Sequence, residues 1–307
     1  MRVLVTGADG FIGRHLVQAL LNTGVEVVTL TRRLRKPRSK HVTNLTFNLL
    51  EPTSWEKVLS SVGAVDTIIH LAALMPYTPN STGSDFIIAN GAFTQVLSDW
   101  LNKKNTPSKF IYFSSIGVIG KPETLPVSES YLLRPRHPYF VGKLSGEFAV
   151  QTCNPRKITT LIFRLTSPYG PSMPANTVLP LFVELARGGK NLNWHGSGSR
   201  RQDFIYIDDI IHICLSSLDV NSSGIYCLGN GTPISMRNLA QMIAAKFSGT
   251  KASASGLTDP QEGISWVVDT SLLENNLNYM QKTLLFNGLE KYIKNLDQPT
   301  INWWEES

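Results

Sequence analysis

The segment Thr6-Gly7-Ala8-Asp9-Gly10-Phe11-Ile12-Gly13 constrains the fold of this chain most. It follows a short apolar run, Val3-Leu4-Val5, and precedes Ile12, Leu16, Ala19 and Leu20 at helical spacing. A glycine-rich turn between a strand and a helix lets the backbone approach a pyrophosphate closely. The helix N-terminus adds free N–H groups and a favourable dipole. The spacing is Gly-x-x-Gly-x-x-Gly, not the commoner Gly-x-Gly-x-x-Gly. Tight turns need glycine anyway, so the weight of the motif comes from its place inside a βαβ unit. Gly7, Gly10, Phe11, Ile12 and Gly13 are therefore candidate dinucleotide contacts.

Further strand and helix signals alternate behind this turn. Strands are expected over 25–30, 45–49, 67–71, 109–113 and 160–165, with helices over 87–101 and 139–152. Such alternation predicts an α/β fold, a Rossmann-type doubly wound parallel sheet with helices on both faces. After Pro168 prolines and glycines become frequent through Arg201. A strand over 204–207 and a helix over 208–218 return to the first domain. A short strand over 225–228 and helices over 236–247 and 284–296 follow. The expected division is a Rossmann domain over 1–171, rejoined by 204–220, and a smaller discontinuous C-terminal substrate lobe over 172–203 and 221–307.

Composition narrows the class. Of 307 residues, 42% are hydrophobic and 17% charged, enough for a packed core. The net charge of +6 suggests an anionic partner, and the densest basic cluster is Arg32, Arg33, Arg35, Lys36, Arg38 and Lys40. A phosphorylated cofactor or a nucleotide-diphosphate substrate explains this bias as well as DNA does. No basic stripe interleaved with aromatics argues for nucleic acid. Cys153, Cys214 and Cys227 form no CxxC pair, so neither a disulfide framework nor a metal site is expected. Reduced, buried thiols fit a cytoplasmic protein. No apolar stretch is long enough to span a membrane, and no signal peptide is recognised.

The end of the second strand reads Thr31-Arg32-Arg33, with no acid nearby. An acid there grips the ribose 2′-hydroxyl of NAD, whereas arginine accommodates the 2′-phosphate of NADP. Arg32 and Arg33 favour NADP, with NAD as the alternative and a merely solvated basic loop as the bland reading. Tyr139 and Lys143 stand four apart and share a helix face. A free tyrosine titrates near about 10, and a neighbouring ammonium lowers that value. Ser114 and Ser115 follow the 109–113 strand, where a hydroxyl at the strand's C-terminal end reaches the ligand crevice.

Together these features resemble the extended short-chain dehydrogenase/reductases, the NAD(P)-dependent nucleotide-sugar epimerase/dehydratase family, over nearly the whole chain. His70-Leu71-Ala72-Ala73 is similar to the family's fourth-strand motif, and Asn90 to its helix asparagine. The segment Ser114 to Gly120 resembles the one carrying the catalytic hydroxyl, here Ser115. The run from Arg164 to Pro171 looks like the loop beside the nicotinamide, and Gln202 to Asp209 like the motif returning to the sheet. The resemblance implies a catalytic set of Ser115, Tyr139 and Lys143. It adds Asn48, Leu49, Leu71, Ala72, Ala73, Asn90, Ser114, Tyr139, Lys143 and Pro168 to the cofactor contacts. Ser115, Ser167, Arg201 and Gln202 are the implied substrate contacts. In this chemistry the cofactor carries the hydride. Tyr139 moves the proton, Ser115 binds the carbonyl oxygen, and Lys143 tunes Tyr139 and holds the ribose. His70 reads as a sheet-end residue shaping the pocket.

Departures from the family pattern narrow the reaction. Dehydratases of the family carry Asp-Glu directly after the catalytic hydroxyl, where this chain has Ile116-Gly117. Its epimerase-reductases carry cysteine and histidine where Gly117 and Ser172 stand. Asn48 replaces the usual adenine-binding aspartate, Ile119 a tyrosine, and Gln202 an arginine, whose role Arg200 or Arg201 can take. The expectation is an NADPH-dependent reductase of a keto group on a sugar-type substrate, a nucleotide-activated 4-keto-6-deoxy sugar. An NAD-dependent nucleotide-sugar epimerase is the alternative. A non-catalytic NADP-binding regulator is the alternative of another class, against which the intact catalytic set weighs. The resemblance also implies a homodimer. Trp303 and Trp304 are expected to pack back onto the domain.

Overall fold

A computed structural model of the chain describes residues 1–104, 108–277, 279 and 282–305. The first half alternates as the sequence predicts. Its strands are β1 (Arg2–Thr6), β2 (Glu26–Thr31), β3 (Val42–Thr46), β4 (Thr67–His70), β5 (Ser108–Ser115) and β6 (Ile158–Leu165). Its helices are α1 (Phe11–Asn22), α2 (Pro52–Val62), α3 (Gly83–Ile87), α4 (Phe93–Asn102) and α5 (Pro138–Gln151). Successive residues of a strand face opposite sides. Val3 and Val5 accordingly enter one apolar cluster with α1, whereas Leu4 enters another with α2 and α4. Both faces of the sheet are covered, which is why its strands read as continuous apolar runs.

The second half contributes β7 (Ser167–Tyr169), β8 (Leu192–Trp194), β9 (Arg201–Gln202), β10 (Phe204–Tyr206), β11 (Gly224–Leu228), β12 (Ile234–Ser235) and β13 (Ala252–Ala254). Its helices are α6 (Val178–Arg187), α7 (Ile207–Ser216), α8 (Met236–Ala244), α9 (Ser271–Leu277) and α10 (Leu285–Lys294). Among the described residues the main sheet has seven parallel strands in the order β11-β6-β5-β4-β1-β2-β3. The order reverses between β1 and β4, so the ligand crevice opens beyond their C-terminal ends. Residues of α6, α8 and α10 form their own apolar cluster around Phe182, Leu239 and Leu289.

Three expectations need correction. The sequence reading places all of 221–307 in the smaller lobe, but Gly224–Leu228 pairs in parallel with β6 as an edge strand of the main sheet. Leu273, Leu277, Trp303 and Trp304 also join the cluster under α1. A short apolar run announces a strand but not its partner, and β6 lies some sixty residues earlier. The 204–206 strand pairs with β7 in a separate two-stranded sheet, and it is α7 that packs on α1. The single helix expected over 87–101 is instead α3 and α4 joined through one π-helical turn, Ile88–Ala92. A capping box between Thr82 and Asp85 starts it.

Candidate active site

The glycine-rich turn is a cradle with no room for side chains. Gly7 sits at φ +70°, and a Cβ there would lie 2.7 Å from the Ala72 nitrogen. A Cβ on Gly13 would lie 2.2 Å from the Gly7 carbonyl oxygen. Helix α1 begins at Phe11 behind Gly10, which places no side-chain cap on the first N–H groups. Bare backbone donors at a close-packed turn fit a dinucleotide pyrophosphate.

The wall beside this turn is set by a chain of hydrogen bonds. Ala72 donates its N–H to Thr6 Oγ1 at 3.1 Å, and Thr6 Oγ1 lies 2.6 Å from His70 Nδ1. His70 Nε2 lies 3.0 Å from Thr94 Oγ1, which donates to the Asn90 carbonyl at 2.9 Å. Thr94 has spent its proton, so His70 carries its hydrogen on Nε2 and accepts from Thr6 at Nδ1. Burial, and then the Lys143 charge, push the imidazole pKa well below its ordinary value. His70 is thus a neutral brace, as the sequence reading has it. Asn90 is fully buried and clasps the Leu74 main chain through both amide atoms, at 2.8 and 3.0 Å. It shapes the loop carrying Leu71, Ala72 and Ala73, and both its amide atoms are committed.

The catalytic candidates converge from β5 and α5. His137 Nδ1 accepts the Tyr139 N–H at the start of α5, and Pro138 occupies the first turn. Tyr139 is buried, and its hydroxyl meets Met75 Sδ at 3.9 Å. Lys143 Nζ donates to the Phe113 carbonyl at 2.8 Å, two residues before Ser115. Ser115 ends β5, half-buried, and its Oγ accepts the Gly117 N–H at 3.3 Å. The Phe140 ring packs so closely on Gly117 that a Cβ there would fall 2.2 Å from it. The first turn of α5 therefore lies directly against the turn that follows Ser115.

Electrostatics depart from expectation at one point. Burial, then Tyr77, raises the Tyr139 pKa above its ordinary value, and the Lys143 ammonium is engaged by a carbonyl. The expected lowering of the tyrosine by the lysine is not made in this arrangement. Burial pulls Lys143 down to about 7, against the opposing effect of Glu147. A lysine lowered from 10.5 to about 7 binds fewer protons than the unfolded chain between those values. Its burial penalty is complete below the lower value and fades as pH rises towards the upper one. Lys143→Met is expected to stabilise the cofactor-free protein more at about pH 6 than at about pH 9, by on the order of 2 kcal/mol. Denaturant titrations at both pH values measure this, and an equal gain at both contradicts it.

Other expected contacts take different places. The Ser114 hydroxyl binds Glu147, which pairs with Arg164 at 2.8 Å, and all three are buried. Ser114 is thereby committed to the interior, because both faces of β5 are covered. Leu49 is buried in the core, and exposed Asn48 holds a turn with Leu50 and Glu51. Arg32 and Arg33 are exposed. Pro168 is half-buried on β7 beside Ser167, whose Oγ accepts from Gln202. Arg200 reaches Gln202 at 3.5 Å and pairs with Asp259 at 2.8 Å, whereas Arg201 is exposed. The Glu147–Arg164 pair is missing from the sequence reading. Its one signal is the carboxylate four residues beyond Lys143. Among the described residues no His, Cys, Asp and Glu group is placed to hold a metal ion, and no helix is long and apolar enough to cross a membrane.

Residues 3–229 match the family described as NAD dependent epimerase/dehydratase. The chain belongs to this family. Among its relatives, the dTDP-4-dehydro-6-deoxyglucose reductase of Escherichia coli is 26% identical over 96% of this chain and 97% of that one. The dTDP-glucose 4,6-dehydratase of Streptomyces niveus is 24% identical over 99% and 95%. Of solved structures, the UDP-glucuronic acid 4-epimerase of Bacillus cereus, in complex with UDP-glucuronic acid and NAD, superimposes with a TM-score of 0.83. It is 30% identical and covers 97% of this chain and 99% of its own. As an extended short-chain dehydrogenase/reductase of the epimerase/dehydratase family, the chain is an oxidoreductase-type enzyme.

Proposed function

We propose that this enzyme reduces a keto group on a nucleotide-activated 4-keto-6-deoxy sugar with NADPH. The observation that carries the reading is Gly117, whose Cβ would collide with Phe140. No carboxylate fits directly after the Ser115–Ile116 step, so the acid pair that eliminates water has no place. Keto reduction needs only the set that is present, and similarity to the Escherichia coli reductase supports it. NADPH, when bound, supplies the hydride. Ser115 orients the carbonyl by donating its hydroxyl to the oxygen. Tyr139, kept protonated by burial, gives its phenolic proton to that oxygen as carbon accepts the hydride. Lys143, anchored on the Phe113 carbonyl, holds the cofactor's ribose, and solvent then returns a proton to the phenolate. Gln202, Ser167 and the arginines 200 and 201 face the sugar and its diphosphate, on the lobe formed by α6, α8 and α10.

A second reading, an NAD-dependent nucleotide-sugar epimerase, is favoured by the NAD in the Bacillus cereus complex. A panel of nucleotide-linked keto sugars with NADPH and NADH, followed at the nicotinamide absorbance, decides between them. The expected result is NADPH oxidation in step with keto-sugar loss. NAD retained through purification, with interconversion of epimers and no net oxidation, would establish the epimerase instead. The same proposal includes a homodimer formed across α5, where Val141 and Phe148 are exposed, 39% and 60% respectively, beside exposed Ile87 of α3. It also includes a cytoplasmic location, consistent with three unpaired, buried cysteines.

A further inference from the structure

The glycine-rich turn is held from outside by its carbonyl groups. The carbonyls of Gly7, Ala8, Asp9 and Gly10 all accept hydrogen bonds. Gly7 accepts the Gly10 N–H at 3.0 Å, and Gly10 accepts the Arg14 N–H at 3.1 Å. Those two bonds belong to the turn and to the start of α1. The other two depend on side chains. Ala8 is fully buried, so its carbonyl needs a partner within the protein, and it accepts the Trp303 indole N–H at 2.9 Å. Asp9 accepts from Arg14 Nη2 at 2.9 Å, and Arg14 Nε adds a second bond to Gly10 at 3.3 Å.

Arg14 is steered by the same distant segment. Its Nη1 donates to Asn302 Oδ1 at 3.3 Å, and its guanidinium lies 5.4 Å from the centre of the Trp304 ring. The segment is itself anchored. Asn302, Trp303 and Trp304 are buried, and the two indole rings meet edge to face at 5.1 Å. The main chain pairs Arg38 with Trp303 and Glu305 with Lys36, each at 3.0 Å, on the loop after β2. All of this lies beyond residues 3–229, which match the family.

A planar trans peptide sends its C=O and the following N–H in opposite directions. Tying the Ala8 carbonyl to Trp303 therefore aims the Asp9 N–H away from the tail. Tying the Gly10 carbonyl to Arg14 does the same for the N–H of Phe11, which opens α1 without a side-chain cap. An anion gains most from donors set before it arrives, because ordering them on binding costs affinity.

We propose that Trp303, together with Trp304 acting through Arg14, forms a splint of positioning residues that presets the peptide planes of the pyrophosphate cradle. The proposal rests on the dinucleotide common to both readings given above. It is indifferent to the 2′-phosphate.

The test uses the full chain, stripped of copurified nucleotide and held well below its melting temperature. Nicotinamide fluorescence measures NADH and NADPH, calorimetry measures ADP-ribose, and NMR titration measures adenosine, which has no phosphate. Trp303→Phe keeps an aromatic ring in the core and deletes the donor. It is expected to weaken NADH, NADPH and ADP-ribose by one common factor, about 3- to 10-fold, with adenosine within about two-fold. Trp304→Leu weakens the same three ligands by about 2- to 5-fold, and Trp304→Phe, which keeps an aromatic face for Arg14, restores them. Arg14→Lys keeps the charge but loses the fork that joins Asp9, Gly10 and Asn302, and it carries the same prediction should Trp303→Phe not fold. A tail that serves stability alone lowers the melting temperature of Trp303→Phe and leaves every affinity at the parent's value; that result refutes the splint. Equal weakening of adenosine and ADP-ribose refutes it too, because the damage then reaches beyond the cradle. A parent chain that binds neither NADH nor NADPH refutes the dinucleotide reading and the splint with it.

Discussion

Tyr139→Phe lowers kcat by about 10²- to 10⁴-fold, the span that a positioned general acid contributes. It leaves NADPH affinity within about two-fold, because the hydroxyl is one contact among many along the cofactor. The separation is clean in this chain. Among the described residues the phenolic hydroxyl has one hydrogen-bond partner, Met75 Sδ at 3.9 Å, so its removal unties no strong structural bond. The ring still packs edge-on against Phe86 and Phe140. Burial keeps the phenol protonated, which suits a donor in the reducing direction. Steady-state rates with NADPH and the keto sugar, beside fluorescence titration of NADPH, measure both halves. A phenylalanine variant with the parent's kcat removes Tyr139 from the chemistry. One that loses rate and NADPH affinity equally makes the tyrosine a binding residue.

The part of this site that sequence made legible is the part governed by short-range rules. Gly7 and Gly13 are demanded by contacts within the turn or with the adjoining strand end, so their spacing carries the information. Tyr139 and Lys143 share a face because a helix repeats every 3.6 residues. The illegible part depends on distant partners. Both faces of β5 are buried, so an apolar run cannot tell which of Ser114 and Ser115 is tied to the interior; it is Ser114, and its partner is Glu147 on α5. Gly224–Leu228 reads as a strand, but only β6 decides that it extends the main sheet. The π-helical turn at Asn90 keeps the apolar pattern of an ordinary helix while rotating Asn90 onto Leu74. Trp303 meets Ala8 across 295 positions, beyond the reach of any periodicity.

The largest stability effect is expected at Arg164, which underlies the same catalytic helix. Arg164 Nη2 meets Glu147 Oε2 at 2.8 Å, Nε approaches both carboxylate oxygens, and Nη1 donates to the Glu129 carbonyl at 2.8 Å. The two side chains are 3% and 1% exposed, so water cannot take over for either. Arg164→Ala leaves the Glu147 carboxylate buried without its guanidinium, a loss of about 3–5 kcal/mol. For a chain of this size the melting temperature then falls on the order of 10 °C. The pair's net worth is a separate matter, because burying two charges has already cost much of what their attraction returns. Replacing both partners, Arg164→Met with Glu147→Met, is therefore expected to recover most of the lost stability. Ser114 and Glu129 then each lose one bond, which leaves recovery short of complete. Urea unfolding of the two single variants and the double variant measures the coupling. A single alanine variant within about 1 kcal/mol of the parent would mean that Glu147 finds another cation, and Lys143, one helical turn away, is the group positioned to supply it.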